Sequence, residues 1–456
     1  MPLRIDKILT TYCLAFAALL TVSTPAETSL SGGKTTIFQQ GPNAFGMPLA
    51  NISRTNRRAH VVGNSFFNKN WVFSPSSTTA RDGLGPLYNA RSCSGCHVRD
   101  GRGAPLKNDL PSVGLLFKLH GIGSKKDDPN LGLQLAVNAA PGIAAEGRVD
   151  ITYEDFKERF KDQSSITLKR PAYRLISNPI YGPMHPDTRL SPRLAQPLVG
   201  LGLLEAVEKK TILALSDPDD LDQDGISGRA NFVLNTETQE MELGRFGWKS
   251  TQPNLRLQTA IAFLRDMGIT SSIHPDEDFT SKQAQIIKLP GEAQFPDIDD
   301  AKLNRVVTYL RTLAPPAQRN ATAKSVLKGK ELFHKIGCAK CHTPTLKTGP
   351  DAALDELSNQ TIMPYTDMLL HDMGEELSDG IQRSGVSGNE WRTPPLWGIG
   401  LTETVNGNTF YLHDGRANTL EEAIMWHGGE GLDSKKSYSN LTANEREQLL
   451  EFLSSL

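Results

Sequence analysis

The chain has 456 residues, with 49 Lys and Arg against 51 Asp and Glu, a net charge of -2. That near balance leaves neither a basic face for nucleic acid nor an acidic tail, so no nucleic-acid partner is expected. Thirty-nine Gly and 28 Pro argue for a loop-rich fold and against a long helical bundle.

In chain order, residues 1–26 read as an export signal. Arg4 and Lys7 form a short positive region, residues 8–22 an apolar stretch, and Thr24-Pro25-Ala26 a small-residue cleavage site. A stretch that short makes no stable membrane anchor, and no later run reaches 18 apolar residues, so a soluble periplasmic protein is expected. Cys13 should leave with the signal. The first cysteine motif follows at Cys93-Ser94-Gly95-Cys96-His97. Beyond it, the apolar run in residues 105–121 predicts a buried strand, and residues 146–175 predict a hairpin around a short helical piece at 153–161. Asp220, Asp222 and Asp224 alternate ahead of Gly225 and Ser227, resembling the first half of an EF-hand loop. Its twelfth position is Asn231 rather than a bidentate Glu, so calcium is a candidate ligand of an irregular site, with a solvated turn as the alternative. "GRANFVLN" follows as a further candidate strand.

Leu303, Val306, Val307, Leu310 and Leu313 are helically spaced and stop at Ala314-Pro315-Pro316. Val326, Gly329, Leu332, Phe333 and Ile336 form the next helical face and run into Cys338-Ala339-Lys340-Cys341-His342. The closing helix opens on a capping box, Thr442 with Glu445, and presents Leu449, Leu450, Phe452 and Leu453.

With Cys13 removed, four cysteines remain, and both CxxCH motifs together consume all of them. CxxCH is the attachment signature of haem c: two thiols add to the porphyrin and the adjacent His ligates iron. Two covalent haems are therefore expected, with Cys93, Cys96, Cys338 and Cys341 as attachment points and His97 and His342 as iron ligands. "NRVVTYLRTLAPP" and "EREQLLEFLSSL" then read as closing helices of two related units. The expected fold is mainly α: two cytochrome c-like modules, residues 27–314 and 318–456, the first with a large mixed α/β insertion.

"GLGPLYNARSCSGCH", "GRFGWKS" with "DMGIT", "LLHDMGEELSDG" and "YLHDGRANTLEEAIMWHGGE" resemble the di-haem oxidoreductase and peroxidase family. That family is similar to bacterial di-haem cytochrome c peroxidases and to methylamine-utilisation di-haem enzymes. The resemblance covers about residues 36–456. In the peroxidases a Met lies fourteen residues beyond the His of the "LEEA" segment; fourteen from His413 lands here on His427. The resemblance thus implies His427 as second ligand of the C-terminal haem, with Met425, His371 and Met373 as alternatives. A "Q…P…E" segment lines the reactive pocket of the relatives, and "RLAQPLVGLGLLEAV" offers Gln196 and Glu205 for it. Arg193 is an added candidate for holding an oxyanion, and His120 and His185 for a labile iron ligand. His413 and His371 read as supporting groups. Trp248, ahead of Trp391 and Trp397, is the candidate aromatic bridge between haems.

The resemblance implies a periplasmic cytochrome c peroxidase-like enzyme that reduces hydrogen peroxide, fed through the C-terminal haem by a small monohaem cytochrome or cupredoxin. Two other classes stay open. One is a non-catalytic di-haem electron-transfer protein, which has no use for an insertion of some 200 residues. The other is a di-haem oxygenase or oxidase acting on an organic or protein substrate.

Overall fold

The computed structural model describes residues 29–107, 110–121, 127–287, 296–382 and 385–456. The predicted signal and Cys13 lie outside them. No helix among the described residues is long and apolar enough to cross a membrane.

Two helix crossings frame the two cysteine motifs, and each depends on a glycine. In the first, α1 (Arg54–Asn68) lies against α4 (Asp300–Arg311). A side chain at Gly63 would run into the Arg305 carbonyl and Tyr309 Cβ, so only Gly allows this approach. In the second, α5 (Lys324–Lys335) lies against the closing helix α8 (Ala443–Ser455), and a side chain at Gly329 would meet the Gln448 carbonyl and Phe452. Four residues after each glycine stands a buried Phe. Phe67 packs on Tyr309 at 5.2 Å and lies 6.4 Å from the His97 ring; Phe333 packs on Phe452 at 5.4 Å and lies 6.3 Å from the His342 ring. The capping box of α8 forms as its sequence dictates, with Thr442 and Glu445 bonded reciprocally.

Between the crossings lies the segment that changes the fold class. The chain is a mixed α/β protein and not a mainly α one: its strands form seven two-stranded sheets among the described residues, two of them long. The strand β1 (Leu115–Gly121) pairs antiparallel with β4 (Thr188–Leu194), Leu115 opposite Leu194. Between them β2 (Gly147–Arg159) and β3 (Ser165–Ser177) form a ribbon thirteen residues long on each side. Residues 153–161, expected as a helical piece, belong to this ribbon through Arg159. "YEDFKER" carries helix-forming side chains, but each residue has a ladder partner, with Phe156 opposite Leu168. Cross-strand pairing overrides weak local propensity. Near the ribbon's base Val149 and Ile151 join an apolar cluster with Phe117 and Leu119; near its tip Phe156, Phe160 and Leu168 join the core of the C-terminal cysteine motif.

The cores interleave. The largest contains α1, α3 (Leu255–Met267) and α4 residues together with Leu346, Leu357, Ile362, Trp397 and Val405 from far along the chain. Ion pairs hold the ribbon to the C-terminal part: Arg446 with Asp162 at 2.9 Å and Lys435 with Glu158 at 2.8 Å.

Candidate functional site

Each cysteine motif opens into a cavity. The larger, about 350 Å³, holds Cys93, Cys96 and His97. Strand β1 builds one wall by its period of two: Leu116, Lys118 and His120 face the cavity, while Leu115, Phe117 and Leu119 face the apolar cluster. His97 donates from Nδ1 to the Gln196 carbonyl at 2.7 Å, which leaves Nε2 as its ligating nitrogen. Burial lowers the basicity of His97 and holds it neutral, the form that binds iron. The Gln196 side chain also reaches the cavity. Its Oε1 accepts from Arg392 Nη2 at 2.8 Å, and its Nε2 is buried without a hydrogen-bond partner. Lys118 donates to Gln134, and burial, helped by Arg265, pulls its ammonium down to about 7.

Glu205 is placed elsewhere. It sits on the short helix α2 (Leu201–Ala206), bidentate with Arg311 at 2.6 and 3.1 Å, and caps α3 by accepting from Leu255 N at 2.8 Å. The carboxylate thus joins three helices and does not line the cavity of Cys93, Cys96 and His97. Glu205→Ala should cost about 2 kcal/mol, since removing one partner of a buried pair costs about 3–5 kcal/mol and Arg311 is partly exposed. Thermal or urea unfolding would show the loss, while turnover of the folded protein stays at the native rate. Arg193 pairs with Asp379 at 2.7 Å and lies over the Trp391 ring. His120 lines the cavity; His185 stands at the surface beside Asp187.

The smaller cavity, about 180 Å³, holds Cys338, Cys341, His342 and His427. The two imidazoles are anchored alike: His342 donates from Nδ1 to the Tyr365 carbonyl at 3.0 Å and His427 from Nδ1 to the Ala423 carbonyl at 2.8 Å. Burial pulls His342 down to about 4 and lowers His427 as well. Each keeps a neutral Nε2 for a metal in a shared space. The alternatives differ in kind. His371 spends both nitrogens, on Asp367 at 2.7 Å and Glu430 at 2.6 Å. Met425 is buried in the core and receives the Ser439 hydroxyl on its sulfur at 3.6 Å. Met373 lines the cavity beside His427.

Trp248 and Arg392 line both cavities. Trp248 is fixed by its Nε1–H, which donates to the Leu194 carbonyl at 2.8 Å, and its ring lies 6.4 Å from both Trp391 and His413. Trp391 and His413 stack at 3.8 Å. Trp397 lines neither cavity and packs against Gly200. The sequence carried no signal for Lys118 or Arg392, which reach the site only through strand pairing.

In the aspartate loop the spacing and the geometry differ. Asp217, Asp220 and Asp222 bring one oxygen each within 4.8 Å of one another. Asp224 instead pairs with Lys340 of the second cysteine motif at 3.0 Å.

The residues fit two haems. The four cysteines of the motifs form no disulfide, and burial holds Cys93 and Cys338 up at about 12, leaving protonated thiols with apolar surroundings. Three imidazoles present Nε2 to the cavities, and orphaned donors, Gln196 Nε2 and Arg102 Nε, are buried beside them. A family model described as "Di-haem oxidoreductase, putative peroxidase" matches residues 26–119 and 144–456. No curated protein matches the chain.

Proposed function

The chain belongs to the di-haem oxidoreductase family, and from that premise we propose that it is a periplasmic c-type peroxidase reducing hydrogen peroxide at the larger cavity, with electrons fed through the smaller. Membership makes it an oxidoreductase with haem cofactors. Covalent attachment through Cys93 and Cys96, and through Cys338 and Cys341, follows from CxxCH chemistry. His97, His342 and His427 would hold iron. The observation that carries the reading is the inequality of the two cavities: the smaller, about 180 Å³, sets a second Nδ1-anchored imidazole, His427, beside His342, whereas the larger, about 350 Å³, sets Gln196 and Lys118 beside His97.

Bound in the two cavities, the haems would supply irons that exchange one electron at a time, the second serving as store. The overall reaction takes peroxide, two electrons and two protons to two waters, breaking the O–O bond. The orphaned Gln196 Nε2–H is a donor for a peroxide oxygen. The Lys118 ammonium, near neutrality in its protonation, gives a proton to the departing oxygen and recovers it from solvent. Trp248, common to both cavity walls, shortens the electron path between them. The donor is a small one-electron protein such as a monohaem cytochrome or a cupredoxin, and the export signal in residues 1–26 would place the protein with it. A pyridine haemochrome assay should give two haems per chain, and the reduced protein should consume peroxide with two donor electrons per molecule. Two saturated haems without peroxide consumption would instead indicate an electron carrier.

Calcium at the aspartate loop is the second part of the proposal, now through Asp217, Asp220 and Asp222. EGTA should lower the melting temperature and calcium, not magnesium, should restore it. An unchanged melting curve would remove calcium from the account.

A further inference from the structure

We infer that Arg102, which belongs to the chain segment of the first haem, binds a carboxylate of the second haem and so ties the two sites together. The inference rests on reading the smaller cavity as a haem site.

Arg102 lies five residues beyond His97 but lines the cavity of Cys338, Cys341 and His342. It is 6% exposed. Its guanidinium lies over the Tyr411 ring at 5.6 Å, and its Nε is buried with no hydrogen-bond partner. Burial lowers its pKa to about 10, opposed by Tyr411 and by no carboxylate. A buried cation without a counter-charge is costly, and the cost is met when an anion shares the cavity. The other cations on this wall already have acceptors. Arg392 donates to the Gly247 and Thr393 carbonyls and to Gln196 Oε1, and Lys435 pairs with Glu158. Arg102 is thus the cation of this cavity that keeps a buried donor, Nε, without a partner among the described residues. A c-type haem brings two propionate carboxylates, and a planar guanidinium suits a carboxylate in two-point contact.

The backbone holds Arg102 to this task. Arg102 N donates to Asn406 Oδ1 at 3.0 Å, and Asn406 Nδ2 donates to the Val98 carbonyl at 2.8 Å. One clasped stretch therefore carries the iron ligand of the first haem and the anion anchor of the second.

The test is a redox titration of the two-haem protein carrying Arg102→Gln and, separately, Arg102→Lys. Loss of the cation stabilises the oxidised form, so R102Q should lower the reduced-to-oxidised ratio of the C-terminal haem about tenfold at fixed potential, 59 mV for one electron. R102K should restore most of it, and the N-terminal haem should change far less. R102Q losing the second haem while R102K keeps it would support the same assignment. An unchanged potential in a fully loaded R102Q, or equal haem loss in both variants, would overturn it. A wild-type haem count below two would instead overturn the reading of the cavity.

Discussion

His427→Ala should turn the C-terminal haem from low-spin to high-spin, with essentially complete loss of its low-spin EPR signal and no change at the N-terminal haem. Low spin at that iron requires two strong-field axial ligands, and His342 supplies one. His427 lines the same cavity with Nδ1 committed to the Ala423 carbonyl, so its ring is oriented before any metal arrives. The competing groups are less suited: His371 is held between two carboxylates and Met425 is buried in the core. Exogenous imidazole should recover the low-spin signal in the variant. An unchanged spectrum would refute the ligand, and a spectrum altered by Met373→Ala instead would hand the position to Met373.

The second large effect is expected at Lys118. Lys118→Met keeps the length and apolar stem and removes the proton donor, so peroxide turnover should fall by about 10²–10⁴, the usual worth of a positioned acid or base. The pH profile separates a proton donor from a packing residue. The folded pKa is lowered to about 7, so the ammonium predominates below that and the amine above. Native turnover should decline as pH rises through about 7, and the variant should lack that limb while both haems keep their spectra. A retained limb would move the role to another wall residue, with His120, two positions along the same strand, the first to examine.

The two CxxCH motifs were legible because the covalent haem attachment proposed for them asks for its residues within five consecutive positions, at Cys93–His97 and Cys338–His342. The closing helices were readable for a similar reason: Thr442 and Glu445 act on each other locally, and the apolar spacing of α4 and α8 is a one-dimensional record of a buried face. A repeated Gly-x-x-x-Phe, Gly63 to Phe67 and Gly329 to Phe333, also lay in the sequence as a sign that the two units share a helix crossing. Glu205 could not be placed in this way. What decides its role is Arg311, more than a hundred residues later, and an amide at the start of α3. Lys118 and Arg102 likewise owe their positions to strand pairing and to Asn406, which spacing does not reveal. The mainly α expectation failed at the ribbon, where ladder partners on the next strand of the hairpin outweighed the helix-forming side chains of residues 153–159.

The proposal divides the labour between the haems, one reactive and the other its electron feeder. EPR of the two-haem protein, fully oxidised and then half-reduced, with peroxide added to each, distinguishes the two roles. Expected are a low-spin signal from the His342–His427 site that disappears on half-reduction, a high-spin or peroxide-responsive signal from the His97 site, and peroxide consumption by the half-reduced protein. Two low-spin signals, indifferent to peroxide at either redox level and accompanied by no peroxide consumption, would contradict it.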